Sequence, residues 1–379
     1  MKLCLRLLSS LALAAISICV FAQAGPQDVL NRINATKNAS EQQRIAADAA
    51  REFDLDRLNA RDGYAWAQVY NKARLYKRSK IALEKYLTTN PTGPALYDAH
   101  SLLLEAAIND KDADTAATVL RNIQPINSDA ALKLALRTIS FYSYVIAETA
   151  PGAAIDAINR TVSLAKGASG QKPEDLDAAR ATRVATILFE KGDKDNAVAT
   201  LSEAIRSQPD KSPNKKRLQT AKAQFTLPGN PAPELVATQG YGTFPGLDAW
   251  KGRVVLVDFF AHWCGPCKAA FPSMKALYED LKPKGLEVVG FTTFYGYYGD
   301  AKDIKPTEEF EKMAGFISEF GLPWTVQFGA RTNFENFGVT GIPTVAVIDK
   351  KGIVRKLHIG YSEASFKEFR KFVEDLIKE

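Results

Sequence analysis

The chain has 379 residues, of which 46% are hydrophobic, 10% aromatic and 24% charged, with a formal net charge of +6. That length exceeds one ordinary domain of roughly 100–150 residues, and the composition excludes a disordered tail, a collagen or a coiled-coil rod. The charge is too mild to mark a nucleic-acid binder, so no nucleic-acid partner is expected. Four cysteines, Cys4, Cys19, Cys264 and Cys267, are too few for a disulfide-stapled scaffold.

Residues 1–24 read as a cleaved signal peptide. Lys2 and Arg6 precede an apolar run from Leu7 to Phe21, and Ala22-Gln23-Ala24 offers small residues at the cleavage-determining positions. The run falls short of the ~20 residues a membrane-crossing helix needs. The expected localisation is therefore periplasmic, with a membrane anchor facing the periplasm as the alternative. Cleavage would remove Cys4 and Cys19 and leave two cysteines separated by two residues. In an oxidising compartment a lone Cys-x-x-Cys pair points to redox chemistry. A Cys₄ zinc site would lack half its ligands, and His100, His262 and His358 are not spaced to replace them, so no metal is expected.

Residues 26–210 are rich in Ala, Leu, Arg and Lys and predict an all-α domain of helical hairpins. Apolar positions recur at three and four, as in Leu75, Ile81, Leu83, Tyr86 and Leu87. Breakers arrive at Asn90-Pro91-Thr92-Gly93-Pro94, Asn109–Asp112, Pro151-Gly152, Lys191-Gly192-Asp193 and Gln208-Pro209, so antiparallel pairs follow. Ala185, Leu188, Gly192-Asp193, Ala197, Leu201, Ala204 and Pro209 resemble one tetratricopeptide unit. A second set, Ala67, Tyr70, Ser79, Leu83, Tyr86 and Pro91, fits less well because Ser79 stands where an alanine is usual. Two roles are open for this domain: recruiting a protein partner, or positioning the active site. The alternative is an irregular helical bundle.

Residues 211–228 predict a basic linker ending in Pro and Gly. Lys211, Lys215, Lys216, Arg217 and Lys222 have no acidic neighbour within the run, and Pro228-Gly229-Asn230-Pro231 cannot continue a helix. From 229 to 379 the pattern becomes α/β. Strands are expected at Val254–Phe260, Leu286–Phe291, Thr344–Ile348 and Ile353–His358, with a hairpin turn at Asp349–Gly352. Helices are expected after Cys264, at Glu308–Phe320 and at Glu363–Lys378, giving a mixed sheet with helices on both faces.

Trp263-Cys264-Gly265-Pro266-Cys267-Lys268 follows the first strand so closely that Cys264 should begin the next helix. Unpaired backbone N–H groups and the helix dipole favour a thiolate there, lowering its pKa from the free value of ~8.5. One helical turn brings the second sulfur within bonding distance. Cys264 is then the attacking thiol and Cys267 the resolving thiol. Gly265 permits the turn and Pro266 starts the helix without losing a hydrogen bond. The alternative is a purely structural disulfide.

Val257-Asp258-Phe259-Phe260-Ala261-His262-Trp263-Cys264-Gly265-Pro266-Cys267 resembles the active-site strand and helix of thioredoxin. With Pro231–Leu235, Lys251-Gly252-Arg253, an insertion between Phe291 and Gly338, and Gly341-Ile342-Pro343-Thr344, residues 225–379 resemble the exported TlpA/ResA-like branch of that superfamily. The resemblance implies a thioredoxin-fold domain and a thiol–disulfide oxidoreductase that reduces or isomerises disulfides of client proteins. It implies an upstream membrane thiol donor and no cofactor beyond the Cys264–Cys267 disulfide. It also implies a cis Ile342–Pro343 bond beside the cysteines, a buried Asp258 that takes the proton of Cys267, and Trp263 as a partly exposed wall. Gly265, Pro266, Ile342 and Pro343 join Trp263 as substrate-binding residues. His262 is expected to be an exposed, neutral bystander, and Phe294–Gly299 either loop packing or a substrate rim. Two other functions are weighed. Peroxiredoxins share the fold, but they carry Thr or Ser and Pro where this chain has Ala261 and Val257. A helical adaptor with an accessory redox domain would leave the cysteine pair without purpose.

Overall fold

The computed structural model describes residues 25–168 and 172–379; the expected signal peptide, with Cys4 and Cys19, lies outside the described residues. The chain divides into two compact units at Ile187/Leu188. Among the described residues no helix is long and apolar enough to cross a membrane.

The first unit is all-α, with helices Pro26–Ala35, Ala39–Glu52, Gly63–Lys72, Tyr76–Leu87, Gly93–Asn109, Ala113–Asn122, Ser128–Arg137, Ser143–Thr149 and Pro151–Ala165, and most of Pro173–Glu190. Side chains of Asn38, Asp112 and Asn127 accept backbone N–H groups at the helix starts they precede, supplying partners for amides that no turn can satisfy. Each breaker read from the sequence lies at a helix boundary; Asn90 and Lys111, at φ +54° and +57°, make two of the turns.

The seam between Gly63–Lys72 and Tyr76–Leu87 departs from the expected apolar face. Ser79, Ala82 and Leu83 are buried there, whereas Leu75 and Ile81 are exposed. A Cβ on Gly63 would stand 2.4 Å from the Ala82 carbonyl oxygen, so at that point the helices approach too closely for any side chain on residue 63. Ser79 tolerates full burial because its hydroxyl donates to the Ala67 carbonyl at 3.1 Å.

The second unit carries an α/β core. Strands β1 (Ala237–Tyr241), β2 (Val254–Phe259), β3 (Leu286–Thr292), β6 (Thr325–Gly329), β7 (Thr344–Ile348) and β8 (Val354–Ile359) form one sheet in the order β1-β6-β3-β2-β7-β8. β4 (Tyr297–Tyr298) and β5 (Ala301–Lys302) form a separate two-stranded ladder. β2, β3 and β6 run parallel, while β1, β7 and β8 are antiparallel to their neighbours. Helices Gly265–Leu281, Pro306–Phe320 and Glu363–Lys378 form as expected. β1, β4, β5 and β6 were not foreseen: each is short, and none has a long β-branched run.

All six residues of β2 are buried, which is why it reads as a continuous apolar run. Val254, Leu256 and Phe260 join the cluster that includes Cys264 and Cys267. Val255, Val257 and Phe259 join the cluster on the opposite face. This alternation aims Asp258 at the cysteine side.

The expected linker is instead a helix, Pro213–Thr226, with Leu218, Ala221 and Phe225 buried. The run of basic residues concealed these apolar positions. Phe225 stacks on Phe189 at 4.5 Å, and Lys216 pairs with Glu335 at 2.8 Å. Gly338 (φ +66°) seats the helix: a Cβ there would meet the Gln224 backbone nitrogen at 2.4 Å. Gly338→Ala should therefore destabilise this unit by about 1–3 kcal/mol, because backbone rather than a movable side chain blocks the methyl. Urea denaturation of the variant beside the parent measures that loss.

Candidate active site

β2 delivers the chain to the site. After Phe260, whose N–H donates to the Phe291 carbonyl at 3.1 Å, a short turn closes with the Cys264 N–H on the Ala261 carbonyl. Cys264 is the N-cap of Gly265–Leu281: its carbonyl accepts the Lys268 N–H, and its sulfur accepts the Cys267 N–H at 3.2 Å. Gly265 and Pro266 form the first helical positions, both exposed. Cys264 and Cys267 are joined in a disulfide. Both cysteines are buried; Cys267 is fully enclosed (0% exposed), and Cys264, at 4%, is the one of the pair that keeps any exposure.

The Ile342–Pro343 peptide is cis, matching the resemblance. Pro343 precedes β7, whose Thr344 lies opposite Phe259 at the end of β2. The proline and the cysteines therefore share one end of the sheet. Pro343 is buried and Ile342 half-buried. Trp263 is 46% exposed beside Cys264, a large apolar surface left in solvent.

Asp258 is 3% exposed on the cysteine side of the sheet, and burial pushes its carboxyl up to about 7. That value suits proton exchange near neutrality.

His262 differs from its expected state: it is buried, not exposed. The ring stacks on Tyr298 at 4.8 Å and meets Tyr295 and Tyr297 edge-on at 5.8 and 5.3 Å. Burial is the main cause that lowers its pKa, with Glu309 opposing and Lys268 assisting, so the imidazole is neutral at pH 7. The sequence concealed this because the covering tyrosines come from an insertion more than 30 residues downstream. Glu309 was likewise missed. Its position in the first turn of a helix reads as ordinary solvated charge, yet it is fully buried.

A thioredoxin-like sheet with a dithiol at the start of the following helix defines a class, and comparisons place the chain within it. The Redoxin family profile matches residues 227–376. Thiol-disulfide oxidoreductase ResA of Bacillus thuringiensis (strain Al Hakam) is 31% identical over 133 residues, 35% of this chain and 69% of that protein. Thioredoxin-like protein YneN of Bacillus subtilis (strain 168) is 26% identical over 134 residues, 35% of this chain and 71% of its own length. A solved thiol:disulfide interchange protein of the thioredoxin family from Chlorobium tepidum TLS is 24% identical. It covers 39% of this chain and 96% of its own, with a TM-score of 0.31. The chain belongs to the ResA-like thiol–disulfide oxidoreductases of the thioredoxin superfamily, and it is an enzyme of that class.

The Asp258 carboxyl has a consequence for stability. Between the ordinary value of 3.8 and about 7, the unfolded chain carries an ionised Asp258 while the native protein keeps the proton. The native state then binds more protons, so its stability falls as pH rises through that window and levels off above it. At 1.36 kcal/mol per pKa unit the full effect is about 4 kcal/mol. Asp258→Asn should gain on the parent progressively from pH 4 to pH 7 in urea midpoints taken on the oxidised protein.

Proposed function

We propose that the protein is an exported enzyme that reduces or isomerises disulfides of client proteins through Cys264 and Cys267. One observation carries this reading: the two cysteines form a disulfide in which the helix-capping Cys264 alone keeps any exposure, and a buried carboxyl lies on the same side of the sheet. In the reduced enzyme the Cys264 thiolate is favoured by the backbone N–H groups and dipole of its helix. It attacks a client disulfide, joining Cys264 to one client sulfur and releasing the other as a thiolate. Asp258 accepts the proton of Cys267, whose thiolate then attacks the Cys264 sulfur. The second client sulfur leaves, the client has gained two electrons, and the enzyme holds its own disulfide. An upstream membrane thiol donor must return those electrons.

The edge before Pro343 would pair with the client backbone, while Trp263, Gly265, Pro266 and Ile342 frame the reacting sulfur. The Gly-Pro between the cysteines is that of thioredoxin, near −270 mV, rather than of a strong oxidant near −120 mV, which supports reduction over oxidation. Residues 1–24 would be removed on export to the periplasm, and a mature N-terminus at Gly25 tests this by mass. The N-terminal helical unit is assigned the recruitment of a protein partner.

Cys267→Ser should strand clients on Cys264 as mixed disulfides, visible on non-reducing gels and released by dithiothreitol. Cys264→Ser should trap none. Equal trapping by both variants, or by neither, contradicts the assignment of roles.

A further inference from the structure

The Phe294–Gly299 loop is held by a buried acidic side chain. Each carboxylate oxygen of Glu309 accepts the Tyr295 N–H at 3.0 Å, and Oε2 also accepts the Gly296 N–H at 2.8 Å. Glu309 is 0% exposed, and the backbone N–H donors satisfy side-chain oxygens that burial has cut off from water. The β4–β5 ladder is two residues long on each side, too short to fix the loop alone. The His262 ring fills the space beside the carboxylate, with Nε2 3.6 Å from Oε1 and without a hydrogen-bond partner. Tyr295, whose backbone Glu309 grips, meets Trp263 edge-on at 5.3 Å and 85°. A line of contacts thus runs from Glu309 through Tyr295 to the exposed indole adjoining Cys264.

We propose that Glu309 is a positioning residue of the exchange site: it holds Tyr295 behind Trp263, and the wall so formed makes the enzyme favour polypeptide disulfides flanked by aromatic or large apolar side chains. The inference rests on Cys264 being the nucleophile. An indole braced by an edge-on neighbour is restrained in orientation, so a client side chain packs against its exposed surface with little loss of freedom. A small hydrophilic disulfide reaches the same sulfur without using that face. Loosening the loop therefore penalises the two substrate types unequally.

The test compares the full-length parent, Glu309→Gln and Tyr295→Ala on two probes: oxidised glutathione, and a disulfide-linked peptide with Phe beside each Cys. In both variants KM for the Phe peptide should rise about tenfold with a smaller change in kcat. The ratio of kcat/KM for peptide over glutathione should fall at least threefold. The double variant should lose no more selectivity than the worse single one, because both changes break the same line of contacts. An equal loss on the two probes, or an unchanged ratio in either variant, overturns the proposal. If Glu309→Gln cannot be purified folded, Tyr295→Ala decides alone, since it leaves both backbone N–H bonds to Glu309 in place. Undiminished activity of Cys264→Ser on both probes would instead overturn the reading of the nucleophile.

Discussion

Because β2 is buried along its whole length and bonded to a neighbour on each edge, the point at which it ends is fixed, and Cys264 with it. A strand enclosed on both faces cannot slip by one residue without turning every side chain to the wrong layer. The register that sends Val254 and Leu256 into one cluster turns Asp258 to the same face of the sheet. Three features follow from this one constraint: a sulfur at a helix start, a buried carboxyl on its side of the sheet, and the beginning of β7 beside it.

Buried polar groups in this unit differ in how burial is tolerated. Asp258 meets it by keeping its proton up to about pH 7, which makes it a participant in proton exchange at a cost to stability. Glu309 meets it with backbone N–H donors, which makes it an anchor for the insertion. His262 meets it as a neutral ring among tyrosines. Chemistry and positioning are thereby separated: one carboxyl is available to exchange a proton, and the other spends its acceptors on holding a loop. Tyr295 belongs to the second group, its phenol pushed up to about 12 by burial.

The parts of the molecule legible in sequence are those whose signal is local. The long apolar strand β2, the helix ending at Phe320 and the Cys-x-x-Cys spacing need no distant partner to be read, and each forms as expected. The parts that escaped depend on contacts across long sequence separations. His262 reads as exposed until Tyr295, Tyr297 and Tyr298 close over it. The basic segment 213–226 reads as linker until Gly338 provides the cleft in which it sits. Around Tyr76–Leu87 the three-and-four periodicity placed Leu83 correctly but also marked Leu75 and Ile81, which are exposed, while Ser79 and Ala82 are buried. Charge and size at single positions misled wherever tertiary packing decided the outcome.

The account turns on one sulfur being both reachable and favoured as an anion while its neighbour is neither. Timed alkylation of the reduced protein with iodoacetamide at pH 7, read by peptide mass spectrometry, addresses this directly. Cys264 should be modified first, at least about tenfold faster than Cys267, since the reactive form is the thiolate and only the capping residue keeps any exposure. Equal rates at the two cysteines, or faster labelling of Cys267, would contradict the account.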